Sequence, residues 1–179
     1  IITGMGVPQL TAIMEAVKAA KDTHVTIVAD GGVRQMGDMA KALAVGAHAV
    51  MLGSLFAGFD ESPGEKVTVD GNEYKQYRGM GSIAAMQKGS AERYGQAKDT
   101  KEKHLIAEGV EGLVRYKGDG ADYFVQIKGS LCSSLYYIGA KSVEEFARIA
   151  RLTKITQASL TESHPHSIAI VNAGANYTL

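Results

Sequence analysis

Two short apolar runs, the first rich in β-branched residues, each preceded by an amphipathic stretch and each stopping at glycine, constrain this chain more than any other feature. Residues 24–30 lead through Val25, Ile27 and Val28 into Asp30 and Gly31-Gly32, and residues 47–52 lead through Val50, Met51 and Leu52 into Gly53-Ser54. Runs of this kind read as buried strands entering tight loops. Ahead of the first, Pro8 suits an opening helical turn and Leu10, Ile13, Met14 and Val17 recur at helical spacing, predicting a helix over about 8–21. Between the runs, Met36, Met39, Ala40 and Leu43 give a second stripe that ends at Gly46, a natural C-terminal cap. Helix, strand, helix, strand with links of two to six residues is the α/β pattern, and helical crossovers make the strands parallel. A doubly wound sheet and a (β/α)8 barrel both fit that order.

From about 58 to 140 the pattern changes. Asp70-Gly71 lies at the centre of a predicted hairpin over 68–77, since Asp-Gly is a strong two-residue turn signal. Residues 87–107, with Gly89, Ser90, Gly95, Gln96 and a mixed charge run over 98–103, read as an exposed mobile segment. Near the end, Ser142 and Glu145 form a capping box ahead of a helix with Val143, Phe146, Ala147 and Ala150 on its apolar face. A short strand over 167–169 and a tail are expected after it. No internal repeat is convincing.

The 179 residues, 45% hydrophobic and 21% charged, suffice for an ordinary core within one domain-sized unit. Nineteen basic and nineteen acidic side chains cancel, which removes the electrostatic argument for a nucleic-acid or anionic-membrane partner, so any bound anion must be held locally. The longest apolar stretches, 25–29 and 47–55, fall short of the roughly 18 residues that read as a membrane span. One cysteine, Cys132, allows no intrachain disulfide, and no signal-peptide pattern opens the chain, so a reducing, cytoplasmic setting is expected. A start at Ile1, two residues before Thr3-Gly4, is what a piece from the middle of a longer protein would show.

Backbone N–H groups freed at strand-end glycines, followed by a helix N-terminus, can hold a phosphate without lysine, although Gly31-Gly32 could equally just turn the chain. Asp30, at the carboxyl end of a parallel strand, can accept from ribose hydroxyls or serve as a helix cap. Gly4-Met5-Gly6 lacks a third glycine and a preceding strand, so it is no dinucleotide fingerprint. Cys132, among serines and with no histidine nearby in sequence, reads as a buried inert thiol. His164-Pro165-His166 reads as a structural pair in preference to a metal site. Taken alone, Arg93 is a solvated surface charge.

A set of segments in fixed order resembles the inosine-5′-monophosphate (IMP) dehydrogenase family. They are 28–32, 41–47, 50–54, Glu61-Ser62-Pro63-Gly64-Glu65, Tyr77-Arg78-Gly79-Met80-Gly81-Ser82, Gly89-Ser90-Ala91-Glu92-Arg93-Tyr94, 108–112 and Glu162-Ser163-His164-Pro165-His166. They cover nearly the whole chain. The resemblance implies a (β/α)8 TIM barrel, of which 1–179 would be the C-terminal part and 58–140 an inserted hairpin and mobile flap. It implies a cytoplasmic homotetramer that oxidises IMP to xanthosine monophosphate through a covalent cysteine adduct, using NAD and a potassium ion.

The same resemblance implies residue roles. Asp30 would hold the ribose diol; Gly31, Gly32, Gly53, Ser54 and Tyr77 the phosphate; Gly79, Met80 and Gly81 would lie along the purine, with Glu108 at the base edge. Arg93, with Tyr94 beside it, would belong to a flap that activates water for hydrolysis of the adduct. Glu162, Ser163 and His164 would complete a potassium site of a neighbouring subunit. The family's nucleophilic cysteine precedes the segment matching Ile1, and Cys132 does not match it, so a missing N-terminal barrel segment would supply the thiol. Departures from the pattern occur at Gly95, where an aromatic residue is common, and over 129–137. GMP reductase, which shares the barrel, and a non-catalytic purine-nucleotide-binding paralogue are the alternatives.

Overall fold

The structure is a computed structural model that describes residues 2–97, 101 and 104–171. The charge run over 98–103, Lys101 apart, and the tail from 172 lie outside the described residues. Along the chain come α1 (Gln9–Ala19), β1 (Val28–Asp30), α2 (Met36–Ala44), β2 (Ala49–Met51), β3 (Lys66–Val69), β4 (Asn72–Arg78) and a short α3 (Ile83–Ala85). Two further turns, Met86–Ser90 and the 3₁₀ turn Ala91–Tyr94, precede β5 (Glu111–Arg115), α4 (Ala121–Ile138), α5 (Val143–Ile149) and α6 (Gln157–Glu162). The chain divides into two compact units, one of Ile1–Gly6 with Gly53–Ala121 and the other of Val7–Leu52 with Asp122–Leu179.

In the second of these, here the parallel unit, β1 and β2 pair in parallel with Asp30 opposite Met51. Ile13 of α1, Ala29 of β1, Ala42 of α2 and Ala47 form one core cluster with Val17, Val45 and Val50 against it. Small residues at these contacts let helices lie close on the strands. A second cluster joins Ala40, Leu43 and Ala44 of α2 to Phe146 of α5, with Leu131 and Leu135 of α4 packed on it. The end of α2 follows from Gly46: Gly46 N–H donates to Leu43 and Ala47 N–H to Ala42, the paired bonds of a left-handed helix stop. The two strands are shorter than the sequence predicted and are covered on one face only. Ala29 is buried, while Val28 and Met51 are about half exposed. Residues 167–169 form no strand.

In the other, the hairpin unit, β3, β4 and β5 make an antiparallel sheet in that order. The anticipated turn is present: Asp70 (φ 50°) and Gly71 (φ 76°) both take the left-handed conformation that a two-residue hairpin with matching twist requires. Strand β5 and helices α4 and α6 were not anticipated. In α4, Gly129, Ser130, Ser133 and Ser134 dilute the apolar stripe, so periodicity alone does not reveal it. In α5, Ser142 Oγ accepts from Glu145 N–H as expected, but the Glu145 carboxylate accepts from Lys141 N–H.

Candidate functional site

The strand ends come first. Asp30 closes β1, and its carbonyl accepts from the Gln9 side-chain amide at 2.8 Å, which ties the start of α1 to the end of the strand. Its carboxylate is not spent on capping α2. That task falls to Asp38, whose carboxylate accepts from the N–H groups of Arg34 (3.1 Å) and Gln35 (3.3 Å) and pairs with Lys41 at 3.1 Å. Burial pushes the Asp38 carboxyl upward, yet those N–H groups and the Lys41 ammonium outweigh it and hold the group below its ordinary value. Gly31 and Gly32 follow Asp30 with φ of 105° and 74°. With Gln9, Ile13, Asp38 and Lys41 they line a cavity of about 180 Å³. Gly53 and Ser54, the second and third residues after β2, open successive turns, their carbonyls accepting from Phe56 and Ala57.

In the hairpin unit a second group of anticipated residues comes together. Tyr77, half-buried on β4, pairs with Gly112 of β5. Gly79 N–H donates to Val110 at 2.9 Å, and the Gly81 carbonyl accepts from both Glu108 and Gly109 N–H at 2.9 Å. A side chain at Gly81 would be crowded: a methyl group there would stand 3.0 Å from Gly109 N and 3.1 Å from Tyr94 Cζ. Gly79, Met80, Gly81, Glu108 and Tyr94 thus form one constellation, with the Glu108 side chain and Met80 exposed. Arg93 lies exposed in the 3₁₀ turn beside Tyr94.

Most described residues over 87–107 are exposed, as the sequence suggests, and the segment is anchored at several points. Met86 and Ala91 are each 1% exposed, so the turns after α3 are packed. Ser90 Oγ donates to the Met80 carbonyl at 2.6 Å, and the Gln96 amide both donates to and accepts from the Ile106 backbone. Glu111 accepts from Ala84 N–H at 3.0 Å, holding the start of α3. Sequence reasoning passed over these supports because each is a long-range side-chain-to-backbone bond, which leaves no periodic trace.

Glu162, Ser163 and His164 end α6 in the parallel unit. Ser163 Oγ donates to the Ser159 carbonyl, and Glu162 lies 3.3 Å from His166. Cys132 is exposed and not buried as expected, because Leu131 and Leu135 carry the packed stripe of α4 and the thiol falls beside it. Among the described residues no cluster of three histidine, cysteine or acidic side chains could hold a metal, and no helix is long and apolar enough to cross a membrane.

These features define an α/β chain with glycine loops at the carboxyl ends of parallel strands, the edge at which ligands bind in this class. The sequence model of the IMP dehydrogenase / GMP reductase domain matches residues 1–166, and the chain belongs to that family. It is 48% identical over 178 residues to an inosine-5′-monophosphate dehydrogenase of Rhodopirellula baltica, covering 99% of this chain and 33% of that one. With the enzyme of the same name from Methanocaldococcus jannaschii it shares 50% over 185 residues, 100% of this chain and 37% of the relative. Among solved structures, GMP reductase from Trypanosoma brucei in complex with guanosine 5′-monophosphate superposes with a TM-score of 0.82 at 41% identity, covering 94% of this chain and 33% of that one. The chain therefore spans about a third of the length of the relatives it matches.

Proposed function

We propose that this chain carries the nucleotide-monophosphate portion of a (β/α)8-barrel IMP dehydrogenase. One observation carries the reading: β1 and β2 end in register, Asp30 opposite Met51, so both glycine-bearing connections set out from the same edge of the sheet. Parallel strands are ordinarily covered on both faces, and the exposed Val28 and Met51 fit strands whose second face is completed by more of a barrel.

In this reading the N–H groups of Gly31, Gly32, Gly53 and Ser54, with the Tyr77 hydroxyl, hold the phosphate. The Asp30 carboxylate accepts from the ribose diol. Gly79, Met80 and Gly81 lie along the purine, and Glu108, held next to Gly81 by its own N–H, meets the base edge. Arg93 activates the water that hydrolyses the covalent adduct, kept near the purine segment by Tyr94 packed on Gly81. The nucleophilic thiol is not Cys132, which stands exposed on α4. NAD supplies the hydride acceptor, and no residue here is assigned to it. Glu162, Ser163 and His164 suit a potassium ion, since a helix end offers hard carbonyl oxygens at its negative pole. A cytoplasmic homotetramer, in which that segment serves a neighbouring subunit, belongs to the same reading.

GMP reductase is the second reading, favoured by the structural likeness to a member of that name at 41% identity. The test is turnover of the full-length protein on IMP with NAD against GMP with NADPH. Xanthosine monophosphate from the first pair supports the dehydrogenase; consumption of the second pair alone supports the reductase. Tight IMP binding with neither turnover would indicate a non-catalytic paralogue.

A further inference from the structure

Among the described residues of the hairpin unit, one charge is buried without a counter-ion. Lys75 lies in the middle of β4, is 5% exposed, and forms no ion pair. Its ammonium enters the turn at 59–62 and donates to the carbonyls of Phe59 (2.7 Å), Asp60 (3.3 Å) and Ser62. An ammonium has three N–H donors and no acceptor, and here all three are matched. Burying a charge is costly unless it is fully hydrogen-bonded, so an apolar side chain would be the cheaper way to fill this position. What Lys75 does that an apolar residue could not is draw three carbonyls of one turn toward a single point.

That turn continues directly from Gly53-Ser54. Phe56 N–H donates to Gly53, Ala57 to Ser54, Phe59 to Phe56 and Ser62 to Phe59, so the chain from 53 to 62 is a series of linked turns. Its far side is fastened to the chain after β5: Lys117 N–H donates to Gly58, Asp60 N–H to Gly118, and both oxygens of Glu61 accept from Gly120 N–H. Past the turn the chain runs hard against β4, where a Cβ at Gly64 would stand 2.2 Å from the Gln76 carbonyl. Tyr77 follows Lys75 by two residues and so shares its face of the strand.

We propose that Lys75 is a positioning residue for phosphate binding: a built-in cation that folds the 59–62 turn and thereby fixes Gly53-Ser54 with respect to Tyr77. It touches no substrate. The inference rests on the phosphate role proposed above for those three residues, and the test separates the two.

In the full-length protein, Lys75→Ala removes the ammonium and leaves space for a small amine. Titration calorimetry of IMP should show affinity weakened roughly ten- to a hundredfold, the range for a lost hydrogen bond to a charged group. Inosine, lacking phosphate, should bind as to the unaltered protein, and turnover at saturating IMP should fall much less than KM rises. Propylammonium should restore IMP affinity where tetramethylammonium at equal ionic strength does not, and Lys75→Arg should be closer to the unaltered protein than Lys75→Met. Unchanged IMP affinity in Lys75→Ala, or equal losses for IMP and inosine, overturns the proposal. Failure to fold with or without propylammonium also overturns it, because it would assign Lys75 to the fold of the unit and not to one turn. If the unaltered protein binds IMP no better than inosine, it is the phosphate reading that fails.

Discussion

The parallel unit and the hairpin unit hold their candidate groups by different means. In the parallel unit the frame is apolar and local: helices α1, α2 and α5 pack through Ile13, Ala42, Leu43 and Phe146, and the candidate residues Asp30, Gly31 and Gly32 extend past a strand end. In the hairpin unit the frame is polar and long-range: Lys75, Glu61, Ser90, Gln96 and Glu111 each bind backbone ten or more residues away. Under the proposed function, ribose and phosphate binding would fall partly to a strand edge held by an apolar frame, and the purine contact and Arg93 to a unit whose shape depends on satisfied polar bonds, where loss of one partner strands a buried donor or acceptor.

The largest expected effect lies in the hairpin unit. Arg93→Ala should slow release of xanthosine monophosphate by about 10²- to 10⁴-fold, the usual contribution of a proton-transfer residue. A rapid-mixing experiment should still show a first-turnover burst of NADH; loss of the burst together with the steady state would place Arg93 in binding. Next comes the apolar frame. Phe146, 4% exposed, should cost about 3–5 kcal/mol when cut to alanine, whereas Val143→Ala on the same helix, at a residue 39% exposed, should cost under about 1 kcal/mol. Chemical denaturation checks both, and equal losses would break the picture of α5 docking through one residue.

At the strand edge, Asp30→Asn should raise KM for IMP by about tenfold or more while 2′-deoxy-IMP is affected less, since a charged acceptor for the diol is worth roughly 1.5–3 kcal/mol. Equal losses for the two nucleotides would remove the ribose assignment. The smallest effect concerns Asp38. Its carboxyl titrates below the ordinary value, so the stability it adds is complete above its unfolded pKa of about 3.8 and is lost as pH falls through the lower folded value. Asp38→Asn should therefore cost about 1 kcal/mol at neutral pH, as a lost helix cap does. The gap from the unaltered protein should close in acid; a gap independent of pH would argue that the charge is irrelevant.

The same contrast explains what could be read in advance. Helical spacing, Gly46 and the Asp70-Gly71 turn made α1, α2, both parallel strands and the hairpin legible, because each is set by neighbours in sequence. The strand-end glycines motivate the proposed phosphate site on general grounds, and the ordered segments from Val28 to His166 carried the family resemblance. The half-covered strands did not show, because a β-branched run looks the same whether one face or two is covered. Lys75 was equally silent, since a lysine between Tyr74 and Gln76 reads as solvated and only the turn folded over β4 makes it a core residue. The exposure of Cys132 depended on the register of α4, which its serines and glycine obscure.

The central claim, that phosphate is gripped by backbone at the two glycine connections, is tested most directly by calorimetric titration of IMP and inosine into the full-length protein. Several charge-assisted N–H bonds to phosphate predict that IMP binds at least about 10²-fold tighter than inosine, with the difference reduced when Ser54 is replaced by proline, which has no N–H to donate. Equal affinity for nucleotide and nucleoside would contradict the account.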